Sequence, residues 1–294
     1  MKKIVIFGVG LIGGSVALAL KKAQPTLGSL SIVGVGRNPA SLAQALQLGV
    51  IDAGVDSSSA QLKTALADAD VILIAAPVAQ TAGILASIKP HLNRHTLVTD
   101  AGSTKGDVLA CALSILAEQA HQFVGGHPIA GAEKSGVSAA SADLFVGKNV
   151  VLTPTEQTQA ETLARATHFW HSCGAKVSHM PAQAHDRIFA AVSHLPHLLA
   201  FALVDDIANR ANAAELFGFA ASGFRDFTRI AGSHPEMWRD ISLANKEALL
   251  QELTAYQTEL ALLKTLLENE DGAGLEALFS RASLARNAWS DKKI

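Results

Sequence analysis

Four short stretches of this 294-residue sequence place titratable or hydroxyl side chains close together. They are DAGSTKG at 100–106, GGHPIAGAEKSG at 125–136, SHLPH at 193–197 and FRDFTRI at 224–230. The first two follow apolar runs that predict β-strands, and ligands of α/β proteins bind at the carboxyl ends of such strands. These four stretches are therefore the candidates for chemistry, and each also has a purely structural interpretation.

His127 is surrounded by small residues, so a ligand has room beside it. An imidazole titrates near neutral pH, which suits a general base, although a histidine in a loop can also make structural hydrogen bonds only. Ser103 precedes a helix predicted over 105–119. It could contribute to a site, or Ser103 or Thr104 could simply cap that helix.

The other two stretches lie in the second half of the chain. His194 and His197 share one helical face, with His185 nearby, and could bind a metal or pack structurally. No carboxylate or thiol is spaced to complete a ligand set, so we expect no metal. Arg229 could bind an anionic ligand, or it could pair with Asp226 three residues earlier.

The first 24 residues contain the spacing of a dinucleotide-binding turn, Gly8-Val9-Gly10-Leu11-Ile12-Gly13, between an apolar run and a helical pattern. In such a turn the first glycine allows the tight bend, the second allows close approach of a pyrophosphate, and the third allows close helix–strand packing. A secretory signal is the alternative, but the fixed glycine pattern and the two lysines that follow argue against it. We expect the cofactor to contact Gly8, Gly10, Leu11, Ile12, Gly13, Arg37, Ala76 and Ser103.

The end of the second predicted strand indicates which dinucleotide binds. It reads Gly34-Val35-Gly36-Arg37-Asn38, without the acidic residue that would bond the ribose 2′-hydroxyl of NAD. A guanidinium there favours the 2′-phosphate of NADP. Arg37 could instead stack on the adenine and allow either cofactor, so we expect NADP as the preferred cofactor and NAD as possible.

Strand and helix patterns alternate along the first 180 residues. Strands are predicted at 4–7, 30–35, 71–76, 96–100, 123–125, 150–152 and 176–178, and helices at 15–20, 39–48, 60–67, 81–88, 105–119 and 158–171. This order predicts an α/β fold with a Rossmann-like, doubly wound and mostly parallel sheet.

After Pro181 only helical patterns follow, at 182–212 with a kink at Pro196, then at 215–219, 226–230, 236–269 and 275–288. We therefore expect a dinucleotide-binding domain at 1–180 and an all-helical substrate and dimerisation domain at 181–294. The many leucines and alanines of the second part favour a homodimer.

Composition excludes several classes of protein. The net charge is −2 and no basic stripe is present, so nonspecific nucleic-acid binding is not expected. The apolar runs are interrupted or too short for a membrane span. Two cysteines, Cys111 and Cys173, do not form a disulfide framework, which favours a cytoplasmic protein.

The glycine turn with LIGGS, together with DAGSTKG, GGHPIAGAEKSG, SHLPH and DFTRIAGSHPEMW, resembles the prephenate dehydrogenase family, the prephenate and arogenate (cyclohexadienyl) dehydrogenases of tyrosine synthesis. The resemblance runs along nearly the whole chain in the same order. It implies oxidative decarboxylation of prephenate or arogenate, with hydride transfer to NAD or NADP, in a homodimer.

The resemblance also implies roles for individual residues. His127 is the catalytic histidine that accepts the proton or hydrogen bond of the substrate hydroxyl, and Ser103 assists that hydroxyl and orients the histidine. Arg229 binds a substrate carboxylate, and His197 lies near the substrate side chain.

Glu133 and Trp238 match positions that line or gate the substrate pocket.

Two other functions are compatible with a glycine turn followed by a helical domain. One is a reductase of the β-hydroxyacid or imine type, and the other is a dinucleotide-sensing protein that catalyses nothing.

Overall fold

The computed structural model of the chain describes residues 1–131 and 134–291, apart from the side chains of 25–27. In that part a sheet of eight strands forms, in the order β3-β2-β1-β4-β5-β6-β7-β8. Neighbouring strands are parallel except β6 and β7, which are antiparallel. The strands are β1 Lys3–Phe7, β2 Ser31–Gly36, β3 Ala53–Asp56, β4 Val71–Ile74, β5 Leu97–Asp100, β6 Phe123–Pro128, β7 Asn149–Thr153 and β8 Lys176–His179. The predicted fold class is confirmed.

Helices cover both faces of this sheet. In β1, Ile4 and Ile6 belong to one apolar cluster, and Val5 and Phe7 belong to another. A strand buried on both faces has no polar side to present, which explains the continuous apolar run in the sequence. The helices between the strands are α1 Leu11–Leu27, α2 Pro39–Gln47, α3 Gln61–Leu66, α4 Thr81–Ile88, α5 Gly106–Leu116 and α6 Ala160–Ser172.

The sequence did not predict β3, the four-residue strand Ala53–Asp56. It has no apolar run, because it lies at the edge of the sheet and pairs only with β2. Its existence depends on the exposed edge of β2 rather than on its own composition.

The helix predicted over 182–212 divides into α7 Ala182–Phe189, a π-helical segment Ala190–His194 and α8 Leu195–Ala208. The expected kink at Pro196 takes the form of this π-helical segment. Pro196 has no amide hydrogen to donate to the carbonyl group four residues earlier. The helix is widened into a π-helical turn in the residues just before Pro196. The segment contains His194, which therefore lies in a locally widened helix.

The helices after α8 are α9 Ala213–Gly218, α10 Ser222–Thr228, α11 Pro235–Ala244, α12 Lys246–Glu268 and α13 Gly272–Asp291. The prediction of a single helix over 236–269 was wrong, because α11 ends at Ala244 and α12 begins at Lys246. Between them Asn245 is buried, and its side chain is hydrogen-bonded to the first helical segment after the sheet.

By packing, the chain forms two compact units, residues 1–246 and 247–294. Helices α7 to α11 belong to the unit that contains the sheet, and the domain boundary expected at 180 and 181 stays a prediction. Residues 182–208 are long and apolar enough to cross a membrane by length and composition alone, a test that core helices of soluble proteins also pass.

Candidate active site

The glycine turn between β1 and α1 has the geometry of a dinucleotide cradle. Gly8 adopts φ +90°, and a Cβ atom there would lie 2.7 Å from the carbonyl oxygen of Ala75. A Cβ at Gly13 would lie 2.1 Å from the carbonyl oxygen of Gly8. Gly10, by contrast, has no atom within 4 Å of its Cβ position, so the backbone there is open to a ligand. α1 begins at Leu11, which points its free N–H groups towards that open space.

A cleft of about 620 Å³ runs along this turn. Four of the residues expected to contact the cofactor line it, namely Gly8, Gly10, Arg37 and Ala76. Leu11, Ile12, Gly13 and Ser103 do not line it. Among the described residues that do, none is acidic, so the side chains present fit a dinucleotide whose phosphates approach backbone N–H groups.

His127 lies within β6, not in a loop after it as the sequence suggested. The strand continues to Pro128 because β7 pairs with its last residues, with His127 opposite Val151. The side chain is only 8% exposed. Burial, with smaller contributions from His185, Lys105 and His194, lowers the pKa of His127 well below 6.5. The imidazole is therefore neutral at pH 7.

A hydrogen-bonded row of side chains continues from His127 into α7. Its Nδ1 lies 2.8 Å from Nε2 of His185, and Nδ1 of His185 lies 2.8 Å from Oδ1 of Asp186. Phe189 contacts both imidazoles, with ring centroids 4.8 Å and 4.4 Å away. The sequence analysis mentioned His185 only as a neighbour of His194 and His197, and it did not single out Asp186. An adjacent His–Asp pair at the start of a helix was the signal that could have found it.

Asp186 also caps α5, which begins at Gly106. Its carboxylate accepts hydrogen bonds from the backbone N–H groups of Lys105 at 2.9 Å and Gly106 at 2.7 Å. The prediction that Ser103 or Thr104 caps this helix was therefore wrong, because a carboxylate from a distant element satisfies those donors. Ser103 is partly buried in the segment between β5 and α5.

Lys105 and Asp100 form a buried ion pair at the carboxyl ends of β5 and β6. The ammonium group of Lys105 also donates to the carbonyl oxygen of Gly126 at 2.9 Å, and Asp100 accepts the N–H of Gly126 at 2.9 Å. Burial raises the pKa of the Asp100 carboxyl, and Lys105 opposes that rise. The pair fixes the backbone next to His127, a function that the sequence did not reveal.

The two histidines of SHLPH have different surroundings. His194 is buried and its Nδ1 accepts a hydrogen bond from the side-chain amide of Asn245 at 3.1 Å. Burial lowers its pKa to about 4. His197 is partly buried and stacks on Trp238, with centroids 3.6 Å apart and planes at 19°. Burial and the nearby Arg229 lower the pKa of His197. A hydrogen bond to the backbone of Ser193 opposes this lowering.

Nε2 of His194 and Nε1 of Trp238 are buried nitrogen atoms without a hydrogen-bond partner in residues 1–131 and 134–291. Because Nδ1 of His194 accepts a hydrogen bond, its Nε2 carries the proton, so both atoms are donors. Buried donors that the protein leaves unpaired can recognise an acceptor on a ligand.

Arg229 is exposed and begins the turn Arg229–Gly232 after α10, near His197. Trp238 contacts both His194 and His197, and His194 contributes to the lowered pKa of His127, so the predicted base and the predicted arginine belong to one region of the fold. The predicted Glu133 lies outside the described residues. In the part that the structure describes, no group of three or more histidine, cysteine or acidic residues could hold a metal ion.

Comparison with known proteins identifies the family. Residues 16–179 match the family described as prephenate dehydrogenase, nucleotide-binding domain, and residues 181–281 match prephenate dehydrogenase, dimerization domain. The chain is 38% identical over 281 residues to a prephenate dehydrogenase of Bacillus subtilis. The aligned region covers 95% of this chain and 74% of that protein. It is 33% identical over 289 residues to a cyclohexadienyl dehydrogenase of Zymomonas mobilis, covering 98% and 96%.

Solved structures give the same result. A crystal structure of prephenate dehydrogenase from Aquifex aeolicus, in complex with hydroxyphenyl propionate and NAD⁺, matches with a TM-score of 0.90 and 37% identity over 98% of each chain. The chain therefore belongs to the prephenate dehydrogenase family, dehydrogenases that oxidise and decarboxylate prephenate or arogenate with a nicotinamide dinucleotide.

Proposed function

We propose that His127 is the general base for the oxidative decarboxylation of prephenate, arogenate or both, at the carboxyl end of β6. The observation that carries this proposal is a buried, neutral imidazole with one nitrogen engaged by His185. Its other nitrogen, Nε2, has no hydrogen-bond partner among residues 1–131 and 134–291. A base with these properties can take a proton at neutral pH.

The substrate is a cyclohexadienol that carries a ring carboxylate. Bound in the cleft, the dinucleotide would accept the hydride of the carbinol carbon. The hydroxyl proton moves to His127 as the O–H electron pair forms the carbonyl group. The bond to the ring carboxylate then breaks, its electron pair makes the ring aromatic, and CO₂ leaves. His127 returns its proton to the phenolic oxygen, so no net proton is released.

Other side chains bind and orient the substrate. Arg229 pairs with a carboxylate through its guanidinium group. His197, held by its stacking on Trp238, lies by the substrate side chain. Ser103 assists the hydroxyl, whereas the hydrogen bond that His127 makes among the described residues comes from His185. The predicted Glu133 lies outside the described residues. The two unpaired N–H donors of His194 and Trp238 support a polar ligand on this side.

We propose that NADP is preferred over NAD. Arg37 is exposed at the cleft beside the end of β2, where the lining residues carry no acid. A guanidinium attracts a 2′-phosphate, whereas a carboxylate would repel it. Asn38 is occupied in capping α2, since its Oδ1 accepts the N–H of Ala40 at 2.9 Å.

We also propose a cytoplasmic homodimer, on the grounds of the dimerization family match and the cysteine content.

The test is a matrix of four assays, each pairing prephenate or arogenate with NAD or NADP, followed at 340 nm. We expect reduction with at least one substrate and a higher kcat/KM with NADP. His127→Ala should lower kcat by roughly 10²–10⁴-fold, the usual contribution of a general base. The dissociation constant of the dinucleotide should stay unchanged, because His127 does not line the cofactor cleft.

His168→Ala, at an exposed position on α6, is the matched control and should keep the wild-type kcat. If His127→Ala retained most of its kcat, the base assignment would be wrong. A higher kcat/KM with NAD would overturn the NADP preference. No reduction in any pairing would favour the other reductase or the dinucleotide sensor.

A further inference from the structure

Asp186 is held as a carboxylate by three hydrogen bonds. Oδ1 accepts from the backbone N–H of Lys105 and from Nδ1 of His185, and Oδ2 accepts from the backbone N–H of Gly106. Burial alone would raise the pKa of Asp186, but these donors outweigh burial and lower the pKa below its usual value. An ionised carboxylate has no proton to donate, so Nδ1 of His185 must carry the proton of that hydrogen bond.

His185 is itself fully buried. Burial lowers its pKa, against the opposing effects of Asp186 and Asp100, and Lys105 adds to the lowering. A neutral imidazole has a single N–H group, and that group faces Asp186. Nε2 of His185 is therefore an acceptor, and the 2.8 Å contact with His127 requires His127 to donate from Nδ1.

We propose that His185 and Asp186 are positioning residues that fix the tautomer of His127, with its proton on Nδ1 and a lone pair on Nε2. The inference rests on the proposed role of His127 as base, and it specifies which atom accepts the substrate proton. After proton transfer both nitrogens of His127 carry protons, and the hydrogen bond to His185 is retained, so no side chain has to move.

The same contacts hold the ring in place. Phe189 packs edge-on against His127 and beside His185, which restricts rotation of both imidazoles. Asp186 is in turn fixed by the α5 backbone, and its own carbonyl oxygen accepts the side-chain amide of Asn245 at 2.7 Å. The orientation of the base is thus set by three elements of the first compact unit, β6, α5 and α7.

The first measurement uses the unaltered protein. Long-range ¹⁵N–¹H NMR spectra of histidine-labelled protein at pH 7, without substrate, report which ring nitrogen is protonated. His127→Ala identifies its resonances. We expect the Nδ1–H tautomer for His127. The Nε2–H tautomer would overturn the proposal, whatever the kinetic assays show.

The second measurement compares two variants. His185→Phe removes the acceptor, so His127 should shift to the Nε2–H form that free imidazoles favour, and kcat should fall roughly 10²-fold with little change in KM. His185→Gln can accept from His127 through its carbonyl oxygen and donate to Asp186 through its amide, so it should restore the Nδ1–H form and most of kcat. A merely structural role would not produce this pattern.

Asp186 is not varied, because its loss would also remove the cap of α5. If His185→Phe did not fold, the tautomer of the wild-type protein would still decide the matter. A His185→Phe protein with wild-type tautomer and kcat would overturn the proposal. A failure of the proposed function looks different, since His127→Ala would then remain active while the tautomer of His127 could still be Nδ1–H.

Discussion

Burial determines the chemistry of the histidines at this site. His127, His185 and His194 are each less than 10% exposed, and burial is the largest cause of the lowered pKa of all three. A neutral ring is what a base requires at pH 7. The same shifts destabilise the fold in acid, because the unfolded chain binds protons more readily than the folded one.

His194 provides a test of this linkage at the residue scale. Its pKa of about 4 lies 2.5 units below the ordinary 6.5, and each unit corresponds to about 1.36 kcal/mol. As the pH falls from 6.5 to 4, the folded protein should lose up to about 3 kcal/mol through this residue. His194→Asn keeps an acceptor for Asn245 and removes the titrating ring. Denaturant unfolding at pH 7 and 4.5 should show about 2–3 kcal/mol less pH-dependent loss in the variant.

The control is His168→Asn, which removes an exposed histidine and should keep the wild-type pH dependence. Equal losses in His194→Asn and wild type would mean that His194 is not the group that titrates.

At the scale of the element, β1, the glycine turn and α1 together form the dinucleotide cradle. The turn brings the start of α1 against β1 and the end of β4. This close packing requires glycine at positions 8 and 13, where a Cβ atom would overlap the backbone. It leaves a third position, Gly10, open to the cleft. Close packing and ligand approach are thus separate requirements on neighbouring glycines.

Two alanine substitutions separate these requirements. Gly13→Ala places a Cβ atom 2.1 Å from the carbonyl oxygen of Gly8, so the backbone must move and stability should fall by about 1–3 kcal/mol, with loss of dinucleotide binding. Gly10→Ala meets no protein atom, so the melting temperature should stay near wild type while the dinucleotide binds at least about tenfold more weakly. Thermal unfolding and fluorescence titration measure both effects. Equal stabilities of the two variants would refute this division of roles.

At the scale of the whole molecule, the second compact unit contains α12 from its second residue and α13. Large apolar side chains in it are 44–71% exposed, namely Leu250, Leu260, Leu262, Leu267, Phe279, Leu284 and Trp289. A soluble monomer rarely exposes so many large apolar side chains on two helices. This supports the proposed homodimer.

Light scattering after size exclusion should therefore give about twice the chain mass of 30.6 kDa. Phe279→Gln should shift the equilibrium towards monomer at low micromolar concentration. Lys63→Gln, at an exposed position on α3 in the first compact unit, is the control and should remain dimeric. A wild-type mass equal to one chain would contradict the proposal.

The patterns along the chain predicted most of the elements. α4 has the predicted bounds, and β1, β2, β4 and β5 lie within a few residues of theirs, because each buries its own apolar side chains. The exceptions depend on partners far away in sequence. β3 forms because β2 offers an edge, and α5 is capped by Asp186 rather than by its own Ser103 or Thr104.

The sequence by itself determined the α/β fold class, the glycine turn and the family, since these depend on local spacing and on motifs read along the chain. Only the tertiary structure decided the surroundings of His127. His127 is buried in β6, and its hydrogen bond to His185, which is in turn bonded to Asp186, joins residues 58 positions apart. Protonation depends on such neighbours and on exclusion of water, neither of which a linear pattern specifies.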